Sequence, residues 1–184
     1  MPMPGWAQPR SRRLFIPLVK NGEITPDPWT HIADGEDAPL DAPIIVSTDR
    51  WNAERASLVH RNAPIGIRLR NDQLPDELGE DLYRFGVVAI EFPAFKDGRA
   101  YTQARLLRER YRFTGEVRAF GDVLRDQLLF MQRCGIDAFE IRKLADAEAF
   151  RSTIGEISVF FQPAADDRRP VTALRNRAVA SWAY

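Results

Sequence analysis

Four short apolar runs in this chain each carry one charged residue at their centre, and that repeat restricts the fold more than any other feature. They read Ile67-Arg68-Leu69, Ile90-Glu91-Phe92, Val117-Arg118-Ala119 and Phe139-Glu140-Ile141, at spacings of 23, 27 and 22 residues, with signs alternating plus, minus, plus, minus. Successive side chains of a strand point to opposite faces. The apolar neighbours therefore pack under one layer, and the charges share the other face. Strands of a doubly wound sheet are buried on both faces and read as near-continuous apolar runs. Central charges there are costly unless fully paired. A sheet with helices on one side and a polar concave side removes that cost, as the interior of a (βα) barrel does.

The rest of the chain follows the same rhythm. Strand-like runs fall at 44–47, 65–69, 87–92, 116–120, 138–142 and 159–162, with helical stretches at 49–60, 75–85, 99–112, 122–134 and 146–157 between them. In the third helix Tyr101, Ala104, Leu107 and Tyr111 recur at helical spacing; in the fourth, Leu124, Leu128 and Met131 do so, and Gly135 suits the cap that ends it. Strands alternating with helices predict an α/β fold of repeated βα units around a mostly parallel sheet. Six strands are too few for the usual closed barrel of eight, so the expectation is an incomplete or small TIM-barrel-like sheet, with a doubly wound open sheet as the alternative.

Upstream, Asn21-Gly22 between apolar runs is a two-residue turn signal and predicts an N-terminal β-hairpin at 14–25. Residues 1–13 read as a flexible arm and 26–43, dense in Pro, Asp and Gly, as a loop. The single domain spans 14–164, with its βα units at 44–164, and 165–184 reads as a basic C-terminal tail.

Composition narrows the function classes. Of 184 residues, 26 are Lys or Arg and 26 are Asp or Glu, a balance that argues against bulk nucleic-acid binding. One cysteine, Cys134, excludes an internal disulfide, a CxxC pair and a cluster held by several thiolates of this chain. No run reaches the length of a membrane helix and the N-terminus lacks the apolar core of a signal peptide, so the reading is cytoplasmic. His31 and His60 have no metal-ligand spacing, and no GxGxxG, GxxxxGK[ST] or GxSxG is present. The residues imply neither a metal nor any particular cofactor.

Ligands of parallel sheets bind beyond the carboxyl ends of the strands. Arg99 follows the third strand, Asp122 and Arg125 the fourth, and with Arg68 and Arg118 they form a candidate anion- or substrate-binding set. Glu91, Asp97 and Glu140 are the candidate general acids or bases. Two plainer readings stand beside these. The row Arg68/Glu91/Arg118/Glu140 is equally well an ion-pair ladder that fixes register, while Asp97-Gly98 is a turn signal and Asp122 suits a helix N-cap.

From Phe92 to Arg142 the motifs FPAFKDGRAY, RAFGDVLRDQ and RCGIDAFE are long and specific. The chain resembles the DUF934 family of bacterial proteins, and the similarity extends upstream through 44–69. Hallmark positions of that family would include Asp97, Arg99, Arg108, Arg118, Gly121, Cys134 and Gly135, while Thr102 and Ile136 stand where a more usual member has Ser and Phe. The family is commonly described as an oxidoreductase of sulfite reduction, with genes typically beside those of assimilatory sulfite reductase. The resemblance thus implies a role in sulfur assimilation. The residues offer no redox centre to match an oxidoreductase, although a flavin held through backbone groups stays open. The first expectation is an accessory protein acting with sulfite reductase as its partner. The second is a small-molecule enzyme binding an anionic substrate on the charged face, and the third a homodimer that completes open sheet edges.

Overall fold

The computed structural model describes residues 16–20, 22–141, 145, 148, 160–165 and 170–174. The expected arm at 1–13 and most of the helix at 146–157 and of the tail at 165–184 lie outside them.

Among the described residues, eight strands form one sheet in the order β2-β1-β8-β7-β6-β5-β4-β3. The hairpin is β1 (Leu18–Lys20) and β2 (Glu23–Thr25), antiparallel with Val19 opposite Ile24. Next come β3 (Thr30–His31), β4 (Ile44–Ser47), β5 (Ile65–Leu69), β6 (Val87–Phe92), β7 (Glu116–Gly121) and β8 (Ala138–Glu140). From β3 to β8 every pairing is parallel, and β1 adds itself antiparallel to the outer edge of β8. The fold is therefore an α/β half-barrel with an N-terminal antiparallel hairpin.

The chain order forces the curl. β2 and β3 are consecutive in sequence yet occupy opposite ends of the sheet. Laid flat, eight strands at roughly 4.8 Å apart would separate those ends by about 34 Å. The connection from Thr25 to Thr30 can reach at most about 18 Å. Only a sheet rolled toward closure lets residues 26–29 bridge its edges. They cross the concave side, where Asp27 meets Arg118 of β7 and Trp29 packs beside Gly86.

Helix α1 (Thr48–Leu58) begins where the Ser47 hydroxyl accepts the Arg50 amide proton at 3.0 Å, a standard N-cap. Helix α2 (Arg99–Arg105) runs on into a wider π-helical turn over Leu106–Arg110, and α3 (Leu128–Arg133) follows a short 3₁₀ turn at Arg125–Gln127. Gly135, with φ of +98°, ends α3 as its position suggested. These helices cover the convex side. Ile67, Leu69, Ile90, Phe92, Val117, Ala119, Phe139 and Ile141 are all buried there with Ala104, Leu107, Leu128 and Met131. The flanking residues of the four charged strands thus pack under the helices, and the charges share the concave face.

Several expectations need correcting. The stretch 75–85 is a 3₁₀ run, Pro75–Arg84, broken where Gly79 takes φ of +51°. Of the strand expected at 159–162, Val159 lies outside the described residues and the rest forms no strand: Phe160 makes an isolated bridge to Pro170 and residues 161 and 162 bend away. The loop at 26–43 contains β3. Leu124 lies outside the core, 37% exposed. Among the described residues, no helix is long and apolar enough to cross a membrane.

Candidate functional site

The concave face carries two kinds of charge, spent and unspent. Arg118 is spent. It is completely buried, and its guanidinium donates to both carboxylate oxygens of Asp27 at 2.8 and 3.1 Å. The same group donates to Glu116 at 2.8 Å and to Glu140 at 3.2 Å. Glu116 is also held by the Lys20 ammonium at 2.8 Å, and Glu140 by His31 Nε2 at 2.7 Å. Burial disfavours the Arg118 charge, yet the Asp27 hydrogen bond and the Glu116 charge outweigh it and hold its pKa above the ordinary arginine value. Burial likewise pushes Glu140 up, but the His31 hydrogen bond, the His31 charge and Arg118 together hold it below the usual glutamate value.

With Asp27, Glu116 and Glu140 against Lys20 and Arg118, the group carries one net negative charge, which a protonated His31 cancels. Glu116 and Arg118 lie two residues apart on one strand and so share a face, a signal present in the sequence. Asp27, Lys20 and His31 carried no such signal, because they arrive from segments about a hundred residues away in the chain.

Arg68 and Glu91 are the unspent pair. Both are half-buried on the concave side, and among the described residues neither has a carboxylate or cation within ion-pairing distance. The four-residue ladder does not form. Arg68 pairs with Ala89, and Ala89 with Arg118, so the two arginines lie in one layer with an alanine between them. Glu91 lies one layer higher, level with Phe120. Only the Arg118–Glu140 rung of the ladder exists.

At the carboxyl ends of the strands the remaining candidates scatter. Asp97 accepts from the backbone and guanidinium of Arg99 at 2.7 to 3.1 Å and from the Asn71 amide. The Arg99 side-chain and backbone hydrogen bonds, joined by Asn71, hold the Asp97 carboxyl far below the ordinary range. In this arrangement it is a fixed anion, ill suited to exchange protons near neutrality. Asp122 is positioned by its amide, which donates to the Phe92 carbonyl at 2.7 Å. It does not cap the helical turn, whose N-cap position is Leu124. Arg125 is exposed beside it. Phe95 and Leu124, 54% and 37% exposed, flank Gln127, which donates to the carbonyls of both through its side chain and its backbone.

Arg108 is a structural residue. From the π-helical turn its guanidinium reaches the carbonyls of Phe113, Gly115 and Gly135 and the Asp137 carboxylate, tying the helix to the ends of β7 and β8. Burial pushes Asp137 up despite that contact. On the convex side a cavity of about 590 Å³ opens between α2, α3 and residues 160–164, with Cys134 in its wall. Among the described residues, no group of three or more His, Cys, Asp or Glu side chains is placed to hold a metal ion.

A family model for bacterial proteins of unknown function, DUF934, matches residues 66–172. No curated protein and no solved structure matches the chain.

Proposed function

The chain belongs to the DUF934 family, and from that premise we propose that it is an accessory protein of assimilatory sulfite reduction that docks on sulfite reductase. The pathway rests on the resemblance carried by FPAFKDGRAY, RAFGDVLRDQ and RCGIDAFE, since the family's description assigns no function. What favours an accessory role over a catalytic one is the state of the half-barrel interior. Arg118, the best-placed cation for a substrate, has its donors taken up by Asp27, Glu116 and Glu140, and residues 26–29 lie across the concave side. A ligand would have to displace carboxylates from a fully buried guanidinium and leave them uncompensated, which opposes binding there.

The docking face is the one at the carboxyl ends of β6 and β7. There Phe95 and Leu124 stand exposed among Lys96, Arg99, Arg125 and Asp126, an apolar centre within a charged rim of the kind that interfaces use. The test is affinity purification from the native host grown on sulfate as sole sulfur source. Sulfite reductase should accompany the protein in stoichiometric amount, and the double substitution Phe95→Ser, Leu124→Ser should release it. A protein that purifies alone, together with normal sulfite reduction in a deletion strain, overturns the reading.

One observation favours a second reading, an enzyme for an anionic small molecule. The half-buried Arg68 has no counter-ion among the described residues. If that site is real, sulfite or phosphate at millimolar concentration raises the melting temperature and Arg68→Ala removes the rise.

A further inference from the structure

The convex cavity between α2, α3 and residues 160–164 has no part in the docking reading. At about 590 Å³ it lies within the roughly 300–1,000 Å³ typical of small-molecule sites. Its wall is aromatic and cationic. The Tyr101 and Phe130 rings stand 4.8 Å apart, and the Arg133 guanidinium lies 4.0 Å over the Phe160 ring. Arg105 completes the cationic part, and no carboxylate is among the described residues that line the cavity.

Two of these rings are costly as they stand. Phe130 is 58% exposed and Phe161 is 83% exposed, although both face the same cavity. Large aromatic rings gathered at one opening are the surface that a flat ligand covers by stacking. The charge selects among flat ligands. Arg105 is held by Glu109 in a solvent-exposed pair at 3.1 Å, an interaction of little net strength that an incoming anion can replace. Arg133 keeps its contact with the Gln162 carbonyl and lies over the Phe160 ring.

We propose that this cavity binds a small planar aromatic molecule bearing a negatively charged group, with the rings of Tyr101, Phe130 and Phe161 stacking on the plane and Arg105 taking the anion. The site is distinct from the strand-end face, so its outcome is independent of any association with sulfite reductase. Cys134 is a buried thiol in the wall of the same cavity, so a bound ligand should slow its modification.

The experiment uses the full chain and two fluorescent probes that share their rings. One is 8-anilinonaphthalene-1-sulfonate and the other its neutral analogue N-phenyl-1-naphthylamine. The sulfonate should bind saturably at one site and slow the reaction of Cys134 with an aromatic disulfide reagent. Arg105→Gln should weaken the sulfonate about tenfold and leave the neutral probe unchanged. Glu109→Gln, which releases Arg105, should strengthen the sulfonate, while Phe130→Ala should weaken both probes. Non-saturable binding, an unchanged Cys134 reaction rate, or equal effects of Arg105→Gln on the two probes overturns the proposal. Near-UV circular dichroism matching the unsubstituted chain confirms that each variant read in this way is folded.

Discussion

His31 Nε2 lies 2.7 Å from Glu140 Oε1, although 109 residues separate the two in sequence and their strands are not neighbours in the sheet. This contact joins the far edge of the parallel sheet, β3, to β8 across the interior, and so closes a barrel that the backbone leaves open. The His31 ring also stands 5.5 Å from Phe120 of β7, which packs it between the two sides. Removing either partner should therefore loosen the strap at 26–31 as well as delete a hydrogen bond. A double-mutant cycle of His31→Ala and Glu140→Gln by urea denaturation should give a coupling energy of about 0.5–3 kcal/mol. Amide exchange at 26–31 should accelerate in both single variants. Strict additivity of the two would show that the closure contributes nothing.

Arg118 holds that closure from the other side, and its burial makes the consequence of losing it large. Arg118→Met leaves Asp27, Glu116 and Glu140 together without their shared cation. Breaking a buried ion group by removing one partner costs about 3–5 kcal/mol, because uncompensated charge stays behind. Arg99→Ala, which breaks only the surface contact to Asp97, should leave the melting temperature unchanged. Equal stability of the two variants would contradict a network held inside the half-barrel.

The difference between what the sequence disclosed and what it concealed follows from the range of the forces. Strands β4, β5 and β6 match the apolar runs residue for residue because local apolar patterning dictates them. The placing of Arg68, Glu91, Arg118 and Glu140 on one face was legible for the same reason, since alternation along a strand is local. Register is not local. Which of the four charges meet a partner depends on how the strands assemble and on where residues 26–31 cross the interior, and nothing in the four tripeptides encodes it. Strand β3 escaped notice because two residues in a Pro- and Asp-rich stretch carry no periodicity; its pairing with β4 alone makes it a strand. Val159-Phe160-Phe161-Gln162 misled in the opposite direction: Phe160, Phe161 and Gln162 serve the convex cavity and the Arg133 contact instead of a sheet. The Asp27–Arg118 bridge joins residues 91 apart, so it appears only once the sheet has curled.

The interior network also sets a direction for acid stability. His31 and Arg118 hold Glu140 below its ordinary value of 4.5 against the opposing push of burial. A carboxylate depressed in the folded state contributes stability fully above its unfolded value and loses it as pH falls through the folded one. The Glu140 contribution is thus intact at neutrality and drains below 4.5. Asp81, held down by Arg55, adds to the same slope, while Asp137, pushed up by burial, opposes it. Urea midpoints measured from about pH 7 to about pH 3.5 should fall for the unsubstituted chain, and less steeply for Glu140→Gln. Parallel slopes would remove Glu140 from the account.

Two glycines of the shared motifs, Gly98 and Gly121, look alike in sequence and should behave oppositely on substitution. Gly121 ends β7 with φ of +100°, and a Cβ there would lie 2.5 Å from the Phe92 carbonyl oxygen of the neighbouring strand. That carbonyl also accepts the Asp122 amide at 2.7 Å, so it cannot retreat without giving up the hydrogen bond that sets the strand-end loop. The backbone conformation alone costs a non-glycine residue about 1–3 kcal/mol, and the clash adds to it. Gly98, in contrast, has φ of −89°, and a Cβ added there would meet nothing within 4 Å. Gly98→Ala should therefore stay within about 1 kcal/mol of the unsubstituted chain, its lost freedom in the unfolded state offsetting a poorer helix cap. Gly121→Ala should lower the urea midpoint markedly, and amide exchange should locate the loosening at 120–127. A harmless Gly121→Ala would mean that β6 and β7 do not approach as closely at their carboxyl ends as the Phe92–Gly121 pairing requires.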